Sequence, residues 1–148
     1  MWPVLRTILA VIAGFIAASA VMMVVETING RVFYPELAKM MEGVTDPEKI
    51  RALMAKAPVA AMGVVIFGWA LGSVAGGFLT TLISQKPRGP ARVLGILLTL
   101  AGIANNLMLP PPAWFWIATL VVFLPATYLG SRLVRQRTAA GDATNPAS

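Results

Sequence analysis

The sequence predicts an all-α membrane protein: a four-helix transmembrane bundle with a short amphipathic helix in its outer loop. Two observations predict it. Four apolar runs, Thr7–Val25, Val59–Ser84, Val93–Leu109 and Trp114–Ser131, are each about long enough to cross a hydrocarbon core of roughly 30 Å. Nearly all the charge lies in the segments between and beyond them. With 57% hydrophobic residues in 148 and a mean hydropathy of +0.76, residues 1–137 make one four-span domain, leaving a small polar tail at 138–148 that is expected to be disordered.

The distribution of charge orients the bundle. Arg6, Lys86, Arg88, Arg92, Arg132, Arg135 and Arg137 face only Asp142 on one side, whereas five basic and five acidic residues cancel in the 29–57 loop and at Glu26. The whole formal excess of +6 therefore falls on one face, which the positive-inside rule makes cytoplasmic, with both termini inside. That face suits the anionic headgroups of the lipid bilayer better than nucleic acid. Ala18-Ser19-Ala20 has the small-residue pattern of a signal-peptide cleavage site. The apolar run nevertheless continues to Val25, longer than a signal core, so an uncleaved anchor is expected.

The first helix is expected to start near Pro3, which has no N–H to lose in a first turn, and to run past Glu26 towards Phe33, where Pro35 breaks it. Ala10, Gly14 and Ala18 form a small-residue stripe along it. In the outer loop, 29–57, Thr45-Asp46-Pro47-Glu48 reads as a helix start. Ile50, Leu53, Met54 and Ala57 then share one face, so this helix either lies in the headgroup layer or closes the top of the bundle. Pro58 ends it. The second crossing carries Gly68, Gly72, Gly76 and Gly77, a glycine zipper whose backbone can approach another helix closely, within the chain or in a second copy. The third ends at Asn105-Asn106 before three prolines. Trp114 and Trp116 anchor the fourth at the outer interface, and Pro125 is expected to kink it.

Chemistry is sparse. Without cysteine or histidine the chain has no thiolate, no imidazole base and no usual zinc ligand set, and it shows no hydrolase or P-loop motif. Neither a metal nor another cofactor is expected. Seven of the eight methionines fall in or near the outer half, where their thioethers are either Cu(I) ligands or adaptable core filling. Glu26, about 30 Å along the helix from Arg6, is the one acidic residue touching an apolar run. It is a proton or cation site, or an interfacial carboxylate paired with Arg31 or Lys56. Asn105 and Asn106 lie deeper than Glu26, at a depth that Trp69 and Thr119 also reach; topped by Glu26, they form either a polar pocket or ordinary interhelical hydrogen bonding.

Glu26-Thr27 with Tyr34-Pro35, Gly68-Trp69-Ala70-Leu71-Gly72 with Gly76-Gly77, and Pro110 through Trp114 resemble the motifs of an uncharacterised family of small bacterial four-span integral membrane proteins. The resemblance covers most of residues 1–135. It implies a bacterial inner (plasma) membrane and this topology. It also implies relatives with histidine near positions 30 and 111, where this chain has Gly30 and Pro111, so any outer metal or proton site built on them is lost here. Two functions are expected. One is a non-enzymatic structural or accessory component that associates, as a homo-oligomer or in a larger membrane complex, through its glycine zipper. The alternative is a small homo-oligomeric transporter or channel with a proton- or cation-linked Glu26 site.

Overall fold

The computed structural model describes residues 2–86 and 88–143, without side chains beyond Val134. Among them every regular element is helical: α1 (Trp2–Ile28), a π-helical turn (Asn29–Phe33), α2 (Pro35–Met41), α3 (Pro47–Lys56), α4 (Val59–Ser84), α5 (Gly89–Met108) and α6 (Ala113–Ala143). Four helices, the first counted through the π turn to Phe33, are long and apolar enough to cross a membrane. In the most apolar stretch of the first, only 22% of residues are buried inside the protein. Ile8, Ile12, Ile16 and Met23 point outward along α1, each at least half exposed, which in water would be an untenably large apolar patch. The outward faces of these helices are those of a multi-pass membrane protein.

Helix α4 is the axis of the bundle, with α1, α5 and α6 all packed on it. Its small residues explain why. A Cβ added at Gly68 would fall 2.8 Å from Val25 Cγ1, at Gly72 2.7 Å from the Ala18 carbonyl oxygen, and at Gly76 2.6 Å from that of Gly14. Gly77 lies on the opposite side, against the Thr127 backbone of α6. The glycine face is thus filled by α1 and α6 of the same chain. Of the two alternatives for this face, packing within the chain is the one the structure has, for a backbone already in van der Waals contact has no room there for another helix. The stripe on α1 is the other half of that seam: Ala10, Gly14 and Ala18 are buried, and Thr80 Oγ1 donates to the Ala10 carbonyl at 3.2 Å. At the end of the bundle that holds the N-terminus of α1, Arg6 Nε donates to the Ile83 carbonyl at 2.7 Å, supplying one of the donors that the C-terminus of α4 lacks.

The outer segment departs most from expectation. It holds two helices rather than one, and α1 passes into α2 through the π turn. Asp46 caps α3, its carboxylate accepting from Glu48 N at 3.0 Å, with Pro47 in the first turn. Of the two placements considered for α3, the structure has it over the bundle: Ile50 is buried, and Met54 and Ala57 pack against the central apolar cluster.

The other boundaries shift less. Helix α5 begins at Gly89, one turn before the expected Val93, with Pro90 in its first turn. Helix α6 continues through Pro125 and on to Ala143, past the expected start of the tail at Thr138. Extending an existing helix needs no new nucleus, and Leu133, Arg135, Arg137, Ala139 and Ala140 are good helix formers. The remainder of that expected tail, 144–148, lies outside the described residues, as do the side chains of Arg135, Arg137 and Asp142.

Candidate polar-lined cavity

At the end of the bundle opposite Arg6, α1, the π turn, α4 and α5 stand apart, and α2 and α3 cover the gap. The result is a cavity of about 320 Å³. Its walls are largely apolar, with Met41, Met54, Met62 and Phe115 among them. Its polar groups are Glu26, Asn29, Tyr34, Trp69, Asn105 and Asn106. Glu26 is the one charged side chain in the lining, and no basic residue accompanies it.

Each polar group is positioned by its own helix. Trp69 is 4% exposed, its ring stacked on Phe123 and edge-on to Phe115, both with centroids 5.4 Å away. An indole clamped in this way has a fixed N–H direction. Its Nε1 donates to Glu26 Oε1 at 2.7 Å, joining α4 to α1. Glu26 is itself exposed at the rim, and no other hydrogen bond or ion pair reaches its carboxylate among the described residues. The expected pairing with Arg31 or Lys56 does not form; among these residues the one ion pair is Lys39–Glu36, at the surface. Trp69 reaches Glu26 because the two lie at one depth on touching helices, whereas Arg31 and Lys56 sit beyond it.

Asn106 is fully buried, and its Nδ2 donates to Thr119 Oγ1 at 2.9 Å. Thr119 is also fully buried but is absent from the cavity wall. Its role is to hold Asn106, and its hydroxyl donates onward to the Phe115 carbonyl at 2.8 Å. Asn105, one residue earlier, is exposed, and its side chain makes no hydrogen bond among the described residues, although it contributes to the rim.

Sequence reasoning missed Asn29 and Tyr34. Asn29 is 8% exposed, and its Nδ2 donates to the Ala61 carbonyl at 3.0 Å. A signal was present, since Asn29 follows Glu26 by three residues and so shares its helix face. It was hidden by assigning Asn29 to a loop. Tyr34 enters the wall only because α2 folds back over the bundle, which no local pattern announces.

As chemistry, the arrangement offers a carboxylate on an apolar-walled cavity, with amide and phenol groups around it. Among the described residues no group of three or more carboxylate, imidazole or thiol ligands is assembled. No family model, curated protein or solved structure matches the chain.

Proposed function

We propose that this is a non-enzymatic protein of the bacterial inner membrane, with both termini cytoplasmic, that binds a small amphipathic cation in its outer cavity. The carrying observation is the Glu26 carboxylate, held through one oxygen by a clamped Trp69 and left without a basic partner on an apolar-walled cavity. Such a carboxylate at the rim favours a positive charge, and the methionine and aromatic surface beneath it favours an apolar body. The non-enzymatic reading rests on the lining residues, which include one carboxylate and one phenol but no nucleophile paired with a base. The accessory reading is weaker, because the glycine face it relied on is occupied within the chain. Binding from the outer side is also the first step that a proton- or cation-linked transporter requires. The basic opposite end, with Arg6, Lys86, Arg88, Arg92 and Arg132, suits anionic lipid headgroups.

The test is equilibrium binding to purified protein in nanodiscs. Phenethylammonium and phenethyltrimethylammonium should bind the wild type at least tenfold more tightly than neutral 2-phenylethanol, and Glu26→Gln should remove that preference. Equal binding of cation and alcohol, or a preference that survives Glu26→Gln, overturns the proposal.

A further inference from the structure

We infer that the cavity's guest carries its charge on a nitrogen bearing N–H bonds, a primary or secondary ammonium, in preference to a quaternary one. This deepens the cation-binding reading above and rests on it. The argument comes from counting hydrogen-bond donors and acceptors at the wall.

Asn29 and Asn106 are both oriented by partners that can only accept. Asn29 Nδ2 faces the Ala61 backbone carbonyl, which has no proton to give. Asn106 Nδ2 faces Thr119 Oγ1, whose single proton is committed to the Phe115 carbonyl, so this hydroxyl too must accept. Turning either amide over would set oxygen against oxygen. Each therefore keeps its nitrogen engaged and leaves its Oδ1 over. Both of these oxygens are buried and, among the described residues, without a hydrogen-bond partner. Glu26 adds a carboxylate with one recorded donor.

Lining residues from three elements thus bring a surplus of acceptors: Glu26 from α1, Asn29 from the π turn and Asn106 from α5. The donors nearby do not offset it. The Trp69 N–H is spent on Glu26, and neither Tyr34 nor Asn105 hydrogen-bonds any of the three. The two amide oxygens are themselves closed to water, although both residues line the cavity. A donor inside must turn the amides slightly to meet them. That motion follows the broad terminal torsion of asparagine, whereas an unpaired buried acceptor forfeits its full hydration. A primary ammonium brings three N–H donors to this set. A quaternary ammonium brings none.

The experiment is a graded series on the wild-type protein in nanodiscs: phenethylammonium and its N-methyl, N,N-dimethyl and N,N,N-trimethyl derivatives, with affinities from equilibrium dialysis. Affinity should fall with each N–H removed, by at least tenfold across the series. Asn29→Leu and Asn106→Leu, checked for folding by circular dichroism, should lower binding of the primary amine more than that of the quaternary one, so that the wild-type gap between them narrows. If all four bind alike and still need Glu26, or the quaternary compound binds best, the N–H inference is overturned and the cation site stands. If none binds, both fall. The series on the unaltered protein decides the question even where a variant does not fold.

Discussion

Alanine substituted at Gly77 and at Gly63 makes the same chemical change twice on one helix, and the structure demands opposite results. An added Cβ at Gly77 would overlap the Thr127 carbonyl oxygen and lie 2.9 Å from both Thr127 C and Cα, where ordinary contact begins at 3.4 Å. All three are backbone atoms of α6 and cannot rotate away. Helices α4 and α6 must therefore part by about 0.5–1 Å, which forfeits a quarter to a half of the dispersion energy at each contact affected. The seam has little slack, because Gly130 of α6 packs equally hard against the Val74 carbonyl of α4. Overpacking of this kind costs about 1–3 kcal/mol. The better helix propensity of alanine offsets up to about 1 kcal/mol of it. At Gly63 nothing lies within 4 Å, so only that gain remains. The two variants should differ by about 1–3 kcal/mol, with Gly77→Ala the less stable. The assay is reversible unfolding in one mixed-micelle system, followed by far-ultraviolet circular dichroism. If the two variants match within about 0.5 kcal/mol, the intrachain account of the glycine face is wrong.

Two further outcomes follow from the site and the charge pattern. Trp69→Phe keeps an aromatic ring against Phe115 and Phe123 but removes the N–H that holds Glu26, so phenethylammonium binding should weaken about three- to tenfold, roughly one hydrogen bond to a charged group discounted for the exposure of Glu26; unchanged affinity in equilibrium dialysis would mean that the indole does not position the carboxylate. Because the chain has no cysteine, single cysteines report topology cleanly: in intact cells a membrane-impermeant maleimide should label Lys49→Cys and spare Arg88→Cys, and the reverse pattern would invert the proposed orientation.

Much of the fold was legible because each crossing announces itself locally. A run such as Val59–Ser84 needs no partner to be recognised, since the bilayer alone requires an apolar helix of that length. Asp46-Pro47 likewise carries a helix start in adjacent residues, and the cap forms as expected. The candidate site was only half legible. Glu26, Trp69 and Asn106 stand out as polar or amphipathic groups at one depth. Asn105 and Thr119 were legible in the same way, yet Asn105 reaches only the exposed rim and Thr119 is buried in the α5–α6 seam. Depth follows from counting along a helix; facing depends on which neighbour each helix packs against.

The sequence by itself determined the solvent, the number of crossings, the expected orientation and the poverty of reactive groups, all of which are properties of composition and order along the chain. Only the tertiary structure decided that the glycines of α4 are consumed by α1 and α6, that Glu26 meets an indole rather than a cation, and that α2 and α3 roof a cavity. Those outcomes depend on rotation of each helix about its axis and on the path of the π turn. Rotation is fixed by packing between residues far apart in sequence, such as Gly77 against Thr127, and no local pattern contains it.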